Sequence, residues 1–187
     1  MASKEIKGVI SPEVINFLVS LMKEIIGENA IKVIIANSRK NVSKDLEGRE
    51  ILFRFATELQ KTLGKNGAFA TMRQVGRDLA KYLMKEYSRE EWDEVLANAL
   101  NDFGFARKIE KDKNRAYICN CVFYEILENN NLGPIEHAIC WAGWGFIEGF
   151  IKEMEGAKCI KWIERDYEKE MCRFDFIKDG EICNGNF

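Results

Sequence analysis

The chain has 187 residues, 47% of them hydrophobic, with 28 basic and 30 acidic side chains and a formal net charge of -2. That length supports one domain with a core of its own, and the near-neutral balance excludes the basic surface of a generic nucleic-acid binder. Six cysteines beside a single histidine exclude chemistry that needs several imidazoles, and they make thiolate-rich metal binding the reading to test.

The first hundred residues read as helices. Ser11-Pro12-Glu13 is a start signal: a serine cap, a proline at the first helical position and an acid in the first turn. The stripe Val14, Ile15, Leu18, Leu21, Met22 and Ile25 follows, with Gly27 as its stop. Its apolar part near Phe17 to Ile26 offers a surface for the core or for a second copy of the chain, and a homodimer is expected from it. Helical patterns continue over Ile51 to Leu63, Ala68 to Tyr87 and Glu90 to Leu100, the last announced by the capping box Ser88 and Glu91.

The pattern then changes. Phe103 to Glu110 and Arg115 to Val122 flank the charged turn Lys111-Asp112-Lys113-Asn114 and read as a β-hairpin. A helix is expected from Glu136 to about Glu153, then strands over Ala157 to Asp166 and Met171 to Ile177. In the last strand Cys172, Phe174 and Phe176 share one face. No linker or repeat divides the chain. The expectation is one α+β domain over 1–187, helical through 102 and strand–helix–strand over 103–187, with the helices packed on an antiparallel sheet. The start lacks the apolar region of a secretory signal, and the longest uncharged apolar stretch, Ala138 to Ile147, is too short to span a bilayer. A cytoplasmic location is expected.

Several side chains offer chemistry. His137 and Cys140 lie three apart at the start of a helix, so they share a face, and a helix N-terminus favours a thiolate. With Glu164 at the end of one strand and Cys172 at the start of the next, they make an acceptable tetrahedral zinc set. The competing reading is of small buried cysteines and a partly exposed histidine. Cys119 and Cys121, one residue apart, are expected on a shared buried strand face, with Cys121 a reserve ligand. Cys159 and Cys183 are read as unpaired. In Cys140-Trp141-Ala142-Gly143-Trp144-Gly145-Phe146-Ile147-Glu148-Gly149 the glycines sit inside a helix, where each costs about 1 kcal/mol relative to alanine. They imply close approach of another element or a ligand. Trp141, Trp144 and Phe146 are the candidates to line an apolar pocket, with plain core packing as the alternative.

The segment Phe103 to Ile177 resembles the vinyl-4-reductase-type domain of archaeal hydrocarbon-binding proteins. The resemblance rests on Asn120-Cys121-Val122-Phe123, on Cys140-Trp141 with Gly145 and Gly149, on Glu164, and on Cys172-Arg173-Phe174; Gly76-Arg77 matches more loosely. It implies a helical layer on an antiparallel sheet, the fold shared with haem-based nitric-oxide sensors and with vesicle-tethering (Golgi-transport) subunits. It also implies zinc at Cys140, Glu164 and Cys172. The family's remaining cysteine has no counterpart, since Tyr167 stands at its place, so the fourth ligand is left to His137, Cys121, water or an external group.

The function expected is therefore a binding or sensor module for a small hydrophobic or aromatic molecule, with a structural zinc site. No nicotinamide, flavin or haem cofactor is expected, and no direct contact with nucleic acid. Two alternatives stand beside it. One is a reductase acting on a vinyl group, as the family label implies, although no nicotinamide fingerprint is present. The other is an interaction scaffold resembling the tethering subunits, its cavity filled by a lipid or acyl chain.

Overall fold

The computed structural model describes residues 10–40, 47–178 and 183. Helix α1, Pro12–Ile26, begins as its sequence dictates: the Ser11 hydroxyl accepts the N–H of Val14 at 3.3 Å, and Gly27 at φ 85° ends it. Its stripe sends Leu18 and Met22 into the chain's own core. Helix α2, Glu28–Ser38, was not expected; it follows at once and buries Ile31 and Ile34.

Helix α3, Gly48–Glu86, joins the two segments that the sequence separates, and Gly64, at φ 73° and ψ 165°, is the non-helical joint between them. A short 3-10 turn, Arg89–Glu91, carries the Ser88–Glu91 capping box and leads into α4, Trp92–Asp102. The hairpin is β1, Ala106–Lys111, and β2, Arg115–Cys121. A second unexpected helix, α5, Tyr124–Asn129, precedes α6, Ala138–Glu155. Strands β3, Cys159–Asp166, and β4, Met171–Ile177, close the chain.

The four strands form one antiparallel sheet in the order β1-β2-β4-β3. The expected α+β architecture is therefore present, with the helical part packed on the sheet. Helix α6 lies between sheet and α3. It reaches β3 through the Trp144 indole N–H, which donates to the Ile160 carbonyl at 3.1 Å. Against α3 it crosses at backbone contact: a Cβ on Gly76 would strike the Ala142 carbonyl, and one on Gly145 would strike the carbonyl of Arg73. Those glycines serve a helix crossing, which repays their helix-propensity cost with close packing. No helix among the described residues is long and apolar enough to cross a membrane.

The cysteine assignments need one correction. Cys159 and Cys183 are joined as a disulfide, which ties position 183 back to the start of β3. Strand spacing gave no hint of it, because the partner lies in the tail beyond the last strand.

Candidate functional site

Where α3, α6 and the sheet meet, they line a partly open cavity of about 90 Å³. Met72 and Val75 of α3, Cys140 and Phe146 of α6, and Trp162 and Phe174 of the sheet contribute to its wall. The polar side-chain groups among these wall residues are three thiols, those of Cys121, Cys140 and Cys172, and the indole N–H of Trp162.

Two departures from regular strand geometry decide which side chains reach this wall. In β2, Ile118 faces the cavity and Cys119 takes the opposite face, as alternation requires. Asn120 then adopts φ 52°, and the phase slips, so that Cys121 faces the cavity as well. The expected shared face of Cys119 and Cys121 is lost at that residue. In β3, Trp162 pairs with Phe174 across the ladder, but Glu164 pairs with Arg173, and Arg165 pairs with Cys172. The irregularity between Trp162 and Glu164 is a bulge, which inserts one residue and reverses the faces beyond it. Glu164 is thereby turned outward, where it accepts from the Arg173 guanidinium at 2.8 Å, and Arg165 is buried.

The expected zinc set is consequently not gathered. Cys140 and Cys172 meet at the cavity and Cys121 joins them, but Glu164 is on the far face and His137 points elsewhere. Among the described residues, no three histidine, cysteine, aspartate or glutamate side chains stand where they could hold a metal ion. Burial raises the Cys121 thiol to about 11, and burial together with the neighbouring Cys121 pushes Cys140 higher still. Those shifts keep both thiols neutral in the metal-free chain.

His137 is the N-cap of α6. Its ring stacks on Phe53 at 4.2 Å between centroids, and Nδ1 accepts the N–H of Ile139 at 3.3 Å. Nε2 lies 3.0 Å from the Thr57 hydroxyl, which donates to the Phe53 carbonyl at 2.9 Å. A neutral imidazole with its proton on Nε2 satisfies this whole chain.

Of the pocket candidates, Phe146 lines the cavity, and Trp141 and Trp144 do not. Trp141 stacks on Phe69 at 4.8 Å and on Trp144 at 4.6 Å, while the Arg73 guanidinium lies over the Trp144 ring at 4.6 Å. Arg73 in turn holds the buried Glu148 by two hydrogen bonds of 2.9 and 3.0 Å. The tryptophans thus belong to the α3–α6 contact. Sequence reasoning missed Arg165, which sits behind the three thiols: its Nη1 donates to the Cys172 sulfur at 3.6 Å. Its signal was hidden in the charged run Glu164-Arg165-Asp166, which reads as a solvated strand end.

No protein-family model matches the sequence, and no curated protein shows significant similarity to it. The vinyl-4-reductase resemblance and its reductase label gain no support there. Solved structures do match the fold. A variant of Tt H-NOX superposes with a TM-score of 0.54 at 13% identity, covering 93% of this chain and 98% of that one. A structure described as showing haem redox potential modulated through porphyrin distortion matches at 0.53 and 12%, covering 94% and 98%. An oxygen-binding H-NOX domain related to soluble guanylate cyclases matches at 0.50 and 12%, covering 88% of this chain and 93% of that one. The chain therefore has an H-NOX-like fold, the architecture that the resemblance attached to nitric-oxide sensors.

The residues present do not fit a haem held through imidazole. Both nitrogens of the single histidine are engaged with Ile139 and Thr57, and its ring is outside the cavity wall. The cavity, at about 90 Å³, is also far smaller than the roughly 300–1,000 Å³ typical of sites for larger ligands.

Proposed function

We propose that this chain is a small-molecule-binding module of sensor type, whose ligand is a small, predominantly apolar compound held between α3, α6 and the sheet. The observation that carries this reading is the cavity between helices and sheet, apolar apart from three thiols and the Trp162 indole N–H. Interiors are normally packed without such voids, and an apolar cavity of about 150 Å³ in another protein takes up benzene or xenon. A volume of about 90 Å³ suits a short chain or a small ring. The H-NOX-like fold supports the reading, because one of the similar domains is described as oxygen-binding.

The test is calorimetric titration with a neutral apolar probe, 1-hexanol, on the full chain and on Ala142→Phe, whose ring would fill the cavity from α6. Saturable binding to the native chain, lost in the folded variant, is the expected result. No binding to either protein, with no small molecule retained in native mass spectrometry, would remove the proposal.

A further inference from the structure

Arg165 is only 8% exposed, yet no carboxylate among the described residues forms an ion pair with it. Its Nε–H is buried without a hydrogen-bond partner. What surrounds the guanidinium is the Cys172 sulfur, the Tyr124 ring at 3.6 Å and the Tyr167 ring at 5.9 Å. Cation–π contacts offset part of the cost of burying this charge, but they leave the in-plane donor unused. An arginine cannot relieve such a cost by losing its proton. The other deeply placed arginine shows the usual solution: Arg73 is matched to Glu148 by two hydrogen bonds.

The position of the unmatched charge is specific. Arg165 faces Cys172 across the β3–β4 ladder, and Cys172 lines the cavity. The bulge that turns Glu164 out is what turns Arg165 in, so the cation stands behind Cys172, one side chain from the cavity wall, while the Glu164 carboxylate pairs with Arg173 on the other face. We infer that the ligand carries a carboxylate which Arg165 binds, with its apolar body lying along the cavity past Cys121 and Cys140. The inference rests on the binding-module reading above and names the ligand's chemical class. A single guanidinium matches a single carboxylate in charge and in its two-pronged geometry. The Nε–H supplies the free donor, and the thiols can turn toward the head group as weak donors.

The experiment is calorimetric titration of hexanoate and 1-hexanol, equal in chain length, on the full chain and on Arg165→Met and Arg165→Lys. Hexanoate should bind the native chain at least about tenfold more tightly than 1-hexanol, the scale of one charge-assisted hydrogen bond. Arg165→Met should abolish that preference while keeping 1-hexanol binding, and Arg165→Lys should retain part of it. Equal affinity for the two probes on the native chain overturns the carboxylate assignment with no need of a variant, and leaves the binding module standing. A preference that survives in Arg165→Met overturns it too. Failure of both probes to bind removes the binding module and this inference together.

Discussion

His137 Nε2 lies 3.0 Å from the hydroxyl of Thr57, a residue 80 positions earlier in the chain. The contact joins the N-cap of α6 to the first half of α3, and it works only with a neutral ring, because Nδ1 must remain an acceptor for the Ile139 N–H. Burial lowers the His137 pKa from 6.5 to about 4. The unfolded chain therefore binds the proton more readily than the folded one, and stability rises with pH. The contribution is complete above pH 6.5 and is lost as pH falls from 6.5 to about 4, up to about 3 kcal/mol. Urea midpoints at several pH values would show it. His137→Asn keeps a capping acceptor without the titration, so its profile should be flatter over that window.

The α3–α6 crossing separates two glycines of one helix. Gly145→Ala would drive a methyl into the backbone carbonyl of Arg73, which cannot move without shifting α3. Overpacking of about 1–3 kcal/mol outweighs the helix-propensity gain of about 1 kcal/mol, so the melting temperature should fall. Gly143→Ala would meet only the tip of the Ile118 side chain at 3.1 Å. That tip can rotate, so this variant should be as stable as the native chain or slightly more so. A reversed order in thermal melts would refute the crossing.

Glu148 is 2% exposed and bonded twice by Arg73, with Arg77 at 3.4 Å and Lys152 at 3.5 Å. Removing the carboxylate leaves a half-sequestered cationic cluster without its anion. Glu148→Gln should cost about 3–5 kcal/mol, the range for breaking a buried pair. The double variant Glu148→Leu/Arg73→Met should recover much of that loss, and denaturant unfolding of the three proteins would show whether it does.

The architecture was legible because it rests on periodicity and caps, which are local. Pro12 and Gly27 bound α1, and the alternation of Cys172, Phe174 and Phe176 marks β4. The glycines of α6 correctly implied a close neighbour, though not which one. The site was less legible because two single-residue events set it. A left-handed Asn120 and the bulge before Glu164 each reverse the faces of the residues that follow. Spacing arguments assume an unbroken phase, so they placed Glu164 inward and overlooked Arg165. His137 was misplaced for another reason: as an N-cap it lies outside the helical turn, and the one-turn relation to Cys140 does not apply to it.

The disulfide between Cys159 and Cys183 closes a loop with a sequence separation of 24. A loop of that length should contribute about 3 kcal/mol by restricting the unfolded chain. Dithiothreitol should lower the urea midpoint of the native chain and leave that of a Cys159→Ser/Cys183→Ser variant unchanged. Thiol titration of the denatured, unreduced chain should count four free cysteines, Cys119, Cys121, Cys140 and Cys172. A count of six would dismiss the bond.

The three cavity thiols supply a direct measure of how closed the cavity is. Alkylation proceeds through the thiolate, and burial raises Cys121 from the ordinary 9.0 to about 11, with Cys140 shifted in the same direction and further. At pH 8 the thiolate fraction of Cys121 should then be about a hundredfold below that of an exposed cysteine, from the two-unit shift alone. Iodoacetamide labelling followed by peptide mapping should find Cys121 and Cys140 at least that much slower in the native chain than in urea. Restricted access adds to the effect. Rates within tenfold of the urea control would mean that water reaches both sulfurs freely, and a water-free apolar cavity could not then be maintained.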